Sequence, residues 1–248
     1  MPRYLLTLEY DGGPFAGFQA QADKPSVQGR LEAAVEAFSG EWARIHVAGR
    51  TDAGVHALGQ AAHFDITRDF RADVVRDALN AHLVPDPIAV LEARLVPDDF
   101  HVRFSALRRR YLYRVHDRRA PAVLERQRVY WIRTPLDVPA MQAAASVFMG
   151  THDFTTFRDA HCQAKSPIRT LDAATVARVG AEVHFAFVAK SFLHRQVRSM
   201  VGSLIQVGIG RWSRADLTLA LEARDRARCG PTAPAHGLYL TGVDFPAL

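Results

Sequence analysis

A chain of 248 residues with 48% hydrophobic and 23% charged residues has the composition of a soluble globular protein, long enough for two domains. No apolar stretch approaches the roughly 20 residues of a membrane-spanning helix. The N-terminus, Met1-Pro2-Arg3-Tyr4-Leu5-Leu6, runs into a strand pattern without a signal segment, so the expectation is a cytoplasmic protein with no membrane partner. A formal charge of +5 and a pI of about 9.5 favour a polyanionic partner.

Arg3 to Tyr10 places Tyr4, Leu6, Leu8 and Tyr10 on one face, and Asp11-Gly12-Gly13-Pro14 ends it, which predicts a strand and a turn. Ser26 is a good N-cap. Val27, Leu31, Ala34, Val35 and Phe38 follow at helical spacing, and Gly40 closes the helix. Ala43 to Ala48 and Gly59 to Asp65 read as strands, Arg71 to Asn80 as a helix, and Ile88 to Leu95 as a strand. That order, β-α-β-β-α-β, is the split pattern of ferredoxin-like units.

The second half repeats it. Ala106 to Val115 is predicted as a strand, and Val138 to Phe148 as a helix with Pro139 in its first turn. Thr170 to Val179 and Glu182 to Ala189 form a hairpin around Gly180. Phe192 to Val207 and Arg214 to Leu221 are predicted helices, and Leu238 to Val243 the last strand. The expected fold is α+β: two ferredoxin-like units with mostly antiparallel sheets, helices packed on one face, and an active-site cleft between them. The boundary is expected near Pro97 to Ser105, giving an N-terminal domain over 1–104 and a C-terminal domain over 105–248. Phe15 to Pro25, Arg118 to Pro135 and Thr151 to Ser166 are long for connectors and are candidate binding segments.

Ten arginines lie between Arg103 and Arg133, interleaved with Tyr111, Tyr113, Tyr130 and Trp131. Arginine mixed with aromatic residues suits phosphate neutralisation and base stacking. Several common engines are missing. No G-x-x-x-x-G-K-[ST] loop is present, and the glycines at 208 and 210 follow a helix rather than a strand. Neither H-x-E nor P-C-x-x-C occurs, as a zinc deaminase would need. Cys162 and Cys229 make neither a disulfide framework nor a C-x-x-C site. Asp52, His56 and His63 can be drawn as a metal site, although histidines on a turn and a strand are usually hydrogen-bonded or solvated.

The most informative stretch is Gly49-Arg50-Thr51-Asp52-Ala53-Gly54-Val55-His56-Ala57. It sets one carboxylate at the end of a strand on a turn that glycine allows to bend sharply. Arg50 is close enough to hold that carboxylate ionised and aimed. A single carboxylate with arginines and a tyrosine suits chemistry at the C1′ of a nucleoside. Breaking the glycosidic bond develops positive charge that an ionised Asp stabilises or captures, and uracil leaves as a resonance-stabilised anion without a second acid. The base would have to be flipped out and stacked, with Tyr111 as the leading platform. A structural turn for Asp52, a core position for Tyr111, a solvent-reaching Arg198 and a solvated edge at Arg108 to Arg110 are the plain alternatives.

The Asp52 segment resembles the signature of the tRNA pseudouridine synthase A family. Leu8-Glu9-Tyr10-Asp11-Gly12 with Phe15-Ala16-Gly17-Phe18-Gln19 is similar to that family's opening. So are Phe100-His101-Val102-Arg103-Phe104-Ser105-Ala106, Arg109-Arg110-Tyr111-Leu112-Tyr113, Phe192-Leu193-His194 with Val197-Arg198, and Gly237-Leu238-Tyr239-Leu240. The resemblance spans essentially the whole chain. It implies isomerisation of uridine to pseudouridine in the anticodon stem-loop of tRNAs by a homodimer, with no metal or organic cofactor. It also implies that Asp52 is the nucleophile, that Arg50 helps hold the extruded nucleotide, and that Tyr111 stacks on uracil and is a candidate for removing the C5 proton. Arg198 matches the arginine that pairs with the aspartate. Phe100, His101, Val102, Arg103 and Phe104, with His161, Cys162, Gln163, Ala164 and Lys165, match tRNA-contacting segments. Arg109, Arg110 and Leu240 join the expected substrate-binding set, Leu240 on a strand that reads as core. The departures are Gln196, where methionine is common, and Lys190, where a small residue is usual.

Two other readings remain at this point. A non-catalytic RNA-binding protein of RRM-like architecture accounts for the basic cluster but not for the Arg-flanked Asp52 turn, and no RNP1-like run is visible. A metal-dependent nuclease would use Asp52 with nearby histidines.

Overall fold

A computed structural model describes residues 1–247. The chain divides into two compact units, Met1–Arg109 with Tyr239–Leu248, and Arg110–Leu238. The architecture is α+β, and the strand pairs are mostly antiparallel.

The first unit runs β1 (Arg3–Tyr10), α1 (Val27–Ser39), β2 (His46–Val47), β3 (His56–Asp65), α2 (Ala72–Leu83) and β4 (Ile88–Val96). Its strand order is β4-β1-β3, with β2 also on β3, which is the ferredoxin-like arrangement. β10 (Leu238–Asp244) adds to β3 in parallel, Tyr239 opposite His56 and Leu240 opposite Ala57. This extra partner explains why β3 begins at His56 rather than at Gly59. The helix signals hold: Ser26 Oγ accepts from the Gly29 N–H, and Gly40, with φ of 76°, ends α1 in the left-handed region.

Tyr4, Leu6 and Leu8 are fully buried, as are Leu31, Val35 and Leu79 on the two helices. Each such side chain contributes about 1.5–3 kcal/mol. The other face of the sheet is covered as well. Leu5, Ala48, Ala61, Val96, Phe100 and Val102 form one buried cluster, against which Val243 and Phe245 pack.

β2 is shorter than the predicted Ala43 to Ala48 strand, although Ala43 and Ile45 are buried as the alternation requires and Ala48 is buried as well. Before it a side chain replaces the ladder, the Ile45 N–H donating to Glu32 Oε1 at 3.2 Å; after it the Ala48 N–H still donates to Ala61 O of β3.

The second unit carries β5 (Arg108–Asp117), β6 (Tyr130–Ile132), α3 (Val138–Ala145), β7 (Gly150–Asp153), β8 (Ile168–Val179), β9 (Glu182–Ala189), α4 (Gln196–Gly208) and α5 (Arg214–Ala223). The strand order is β5-β9-β8-β7, and β6 lies parallel on β5. β8 and β9 make the expected hairpin around Gly180. Tyr113, Phe148, Phe154, Phe157, Phe185 and Phe187 are its largest fully buried side chains.

Two elements differ in extent from their sequence signals. α3 ends at Ala145 and tightens into a 3-10 turn over Ser146–Phe148. α4 starts at Gln196, not at Phe192, because Arg195 takes a left-handed conformation with φ of 57°. Buried Gln196 stabilises that turn, its Oε1 accepting from the Leu193 N–H at 2.8 Å.

Candidate active site

Beyond β2 the backbone turns through Gly49 to Val55, and the carbonyls of Gly49, Thr51 and Asp52 find partners on the way. Gln60 Nε2 donates to Gly49 O at 2.7 Å, and the Phe18 N–H donates to Thr51 O at 3.1 Å. The Val55 N–H donates to Asp52 O at 3.1 Å, closing the turn at Gly54, whose φ is 76°. Buried Thr51 shares a 2.8 Å hydroxyl–hydroxyl bond with Tyr10. Burial pushes the Tyr10 phenol up to about 12, so it stays neutral in that bond.

The Asp11-Gly12 and Gly17-Phe18 motifs brace this turn through close backbone approach. A Cβ on Gly12 would lie 2.0 Å from Val55 O, and one on Gly17 would lie 2.8 Å from Thr51 O, at a φ of 110° that disfavours any side chain. The Gly12 N–H donates to His56 Nδ1 at 3.0 Å, and the His56 ring stacks on Tyr239 at 4.8 Å. The Asp52 side chain is half-buried and Arg50 is exposed. A carboxylate on so fixed a backbone, still open to solvent, can act as a nucleophile or stabilise a developing cation.

The 100–106 segment belongs to the same unit. Phe100 and Val102 are buried in the second-face cluster, His101 is half-buried, and Arg103 and Phe104 are exposed. His46 stacks on His63, its partner across β2 and β3, and the two rings meet that of His101. Ligand atoms of these three histidines lie within 4.8 Å of one another, a grouping to test as a metal centre. Their hydrogen bonds argue otherwise. The Val102 and Arg103 N–H groups donate to Nδ1 of His63 and His101, at 3.3 and 3.2 Å. That leaves the proton of each neutral ring on Nε2, where a metal would have to bind. Burial, then the charges of His46, Arg3 and His101, push His63 down to about 3, so it is neutral near pH 7.

In the second unit Tyr111 is half-buried on β5, with Phe192 edge-on to its ring at 5.1 Å. Two residues on, Tyr113 is fully buried and donates to Pro234 O at 2.8 Å. Half-buried Arg198 stands on the first turn of α4. Its Nε donates to Ala233 O at 2.8 Å, and its own carbonyl accepts from the Ala233 N–H at 3.0 Å. One turn further, a Cβ on Gly202 would lie 1.7 Å from Pro231 O, so the 231–233 segment lies directly on the helix.

Asp159 ties the 161–165 loop to the turn before α4. Its carboxylate accepts from the His161 N–H at 2.9 Å and from Arg195 Nη1 at 2.8 Å, and its own N–H donates to His194 O. Burial works against the ionised form, but the His161 N–H and the charges of Arg195 and His194 outweigh it and hold the carboxyl below its usual range. His161, Gln163 and Lys165 are exposed, and Cys162 and Ala164 half-buried. Leu240 is fully buried, as its strand pattern suggests. In the run Arg108-Arg109-Arg110, Arg109 is buried and its neighbours are exposed.

Gln60 and Asp159 carry no site expectation in the sequence, and Tyr10 enters it only as a strand residue and as part of the family's opening motif. The available signal was a polar residue inside an apolar run, as Gln60 is beside Ala61, Ala62 and Phe64.

The family model described as tRNA pseudouridine synthase matches residues 7–105 and 144–246; Arg109, Arg110 and Tyr111 lie between the two matched segments. The chain is 62% identical over 245 residues to "tRNA pseudouridine synthase A" of Caulobacter sp. (strain K31), covering 99% of this chain and 98% of that one. It is 59% identical over 246 residues to the protein of that name from Maricaulis maris (strain MCS10), covering 99% of each. A chain of the solved "Crystal Structure of a Cbf5-Nop10-Gar1 Complex" aligns over 83% of this chain and 45% of that one, with 12% identity and a TM-score of 0.39.

Proposed function

This chain belongs to the tRNA pseudouridine synthase family, and on that premise we propose that it isomerises uridine to pseudouridine in tRNA with Asp52 as its nucleophile. The carboxylate captures C1′ as the N1–C1′ bond breaks, and uracil leaves as a delocalised anion. The ring turns, C5 attacks C1′, and the carboxylate is released. C5 then loses its proton and N1 gains one, so the product has the atoms of the substrate and no cofactor is consumed.

Tyr111 stacks on the extruded uracil and takes the C5 proton. Arg198 supplies a fixed positive charge, oriented by the Ala233 carbonyl. Arg50, Arg103, Phe104, Arg110, His161, Gln163 and Lys165 are the exposed groups offered to RNA, and buried Phe100, Val102 and Leu240 support the segments that carry them. The target is the anticodon stem-loop, and the working form is a cytoplasmic homodimer. The family resemblance supports these finer assignments, and the +5 charge supports the first.

The observation that carries the reading is a half-buried carboxylate on a turn whose backbone Gly12, Gly17 and Gln60 leave little room to move. The test is incubation with unmodified tRNA transcript and mapping of pseudouridine by mass spectrometry. Asp52→Asn should abolish product while tRNA affinity changes little. A mutant that still forms pseudouridine at a comparable rate would remove Asp52 from this role, and equal loss of binding would favour an RNA-binding module. Activity that survives EDTA with intact RNA dismisses the nuclease.

A further inference from the structure

The middle arginine of Arg108-Arg109-Arg110 differs from its neighbours in burial and in what it touches. Arg109 is 7% exposed. Its Nη2 donates to Ala48 O at 2.7 Å and to Arg103 O at 2.9 Å, and its Nη1 donates to Ala106 O at 3.3 Å. These carbonyls belong to two separate stretches. Ala48 is the last residue before Gly49-Arg50-Thr51-Asp52, where β2 has already ended and the sheet no longer accounts for its carbonyl. Arg103 and Ala106 lie in the 100–106 turn, whose exposed Arg103 and Phe104 are offered to RNA.

We propose that Arg109 is a positioning residue rather than a phosphate contact: one buried guanidinium links the foot of the Asp52 turn to the turn that carries Arg103 and Phe104. A guanidinium suits this because its rigid planar fork presents N–H groups in several fixed directions, whereas an ammonium is a single point donor on a flexible stem. A buried cation also needs several carbonyl dipoles around it to offset its lost hydration, and here it has them. The clamp rests on the reading of Asp52 as the reacting group. Loss of its grip would let the Asp52 backbone shift without removing any group that meets RNA.

The test compares Arg109→Lys with Arg110→Ala in the full-length protein by three readouts: kcat and KM for pseudouridine formation, the salt dependence of tRNA affinity, and trypsin cleavage after Arg50 and Arg103. Arg109→Lys should lower kcat by about ten- to a hundredfold, the loss typical of a misplacement near 1 Å. Its KM and salt slope should stay at the wild-type values, and cleavage after Arg50 and Arg103 should rise several-fold. Arg110→Ala should instead weaken tRNA binding and flatten its salt slope by about one unit, with cleavage after Arg50 and Arg103 as in wild type.

A wild-type kcat and cleavage pattern in Arg109→Lys overturns the clamp, and so does a salt slope reduced as in Arg110→Ala. An Arg109→Lys protein without a cooperative unfolding transition also overturns it, by making Arg109 a requirement of the whole unit. Wild-type protein that makes no pseudouridine defeats the functional reading instead, and the cleavage pattern then still decides the clamp.

Discussion

The sharpest perturbation of the site adds one methyl group. In Gly12→Ala the new Cβ would lie 2.0 Å from Val55 O and 2.5 Å from Val55 C, both backbone atoms. A carbon–oxygen contact needs about 3.3 Å, so Val55 or Gly12 must move by roughly 1 Å. Val55 closes the turn by donating to Asp52 O, so the displacement reaches the carboxylate's own backbone. Overpacking of this kind costs about 1–3 kcal/mol in stability, which for a chain of this length lowers Tm by roughly 2–10 °C. A 1 Å shift of a reacting group costs about a hundredfold in rate.

The neighbouring glycine is the control. A Cβ on Gly13 meets only Asp11 Oδ1, at 3.1 Å, the end of a side chain that can give way. Single-turnover pseudouridine formation should therefore be about a hundredfold slower in Gly12→Ala and close to wild type in Gly13→Ala, with calorimetry showing the matching difference in Tm. Equal rates in the two variants would refute the claim that backbone approach at Gly12 fixes the Asp52 turn.

In the second unit, Gly202→Ala would place a Cβ 1.7 Å from Pro231 O and push away the segment whose Ala233 carbonyl holds Arg198. We expect kcat to fall at least about tenfold while tRNA affinity holds, and an unchanged kcat counts against the Ala233 contact as the source of Arg198's orientation. His63 gives a pH prediction. Its folded pKa is about 3 against an ordinary 6.5, so between those values the unfolded chain binds the extra proton. Stability is then full above about pH 6.5 and falls as the pH drops towards 3, by at most about 1.4 kcal/mol per unit. Urea unfolding at pH 7 and pH 5 should show a loss about 1–2 kcal/mol larger in wild type than in His63→Asn; equal losses refute the assignment.

Local physics made much of the fold legible. Ser26, Gly40 and Pro139 mark helix ends through single-residue chemistry, and β9 alternates without a break while β1 and β8 alternate around a register shift, so these elements lie close to where the pattern sets them. β6 and β7 are too short for alternation to register, and both fall in segments that read as loops. The start of α4 was hidden because Phe192, Leu193 and Val197 keep helical spacing across a turn that Arg195 and Gln196 break. The Asp52 turn was legible from its glycines, but its supports were not. Nothing in three consecutive arginines says which one is buried. The pairing of β10 with β3 joins residues about 180 positions apart, a distance that local patterns do not reach.

The brevity of β2 connects these observations. In a regular strand paired on one side, alternate carbonyls of Ala48 to Asp52 would be held by the ladder, and alternate side chains would be pinned to opposite faces of the sheet. Here β2 ends at Val47, and the last bond to β3 is that of the Ala48 N–H. The carbonyls of Ala48, Gly49, Thr51 and Asp52 are taken in turn by Arg109, Gln60, the Phe18 N–H and the Val55 N–H. Four of the five carbonyls are held, yet the backbone is not bound to the pleat of a strand. Substitutions at these partners should therefore divide by target. Those that release a carbonyl of residues 48–52 should slow the reaction more than they weaken the fold. Those in the cluster of His46, His63 and His101, which holds no carbonyl of that run, should do the opposite. If Gln60→Leu, which releases Gly49 O, left the rate untouched while lowering Tm, short-strand bracing would not be what positions the carboxylate.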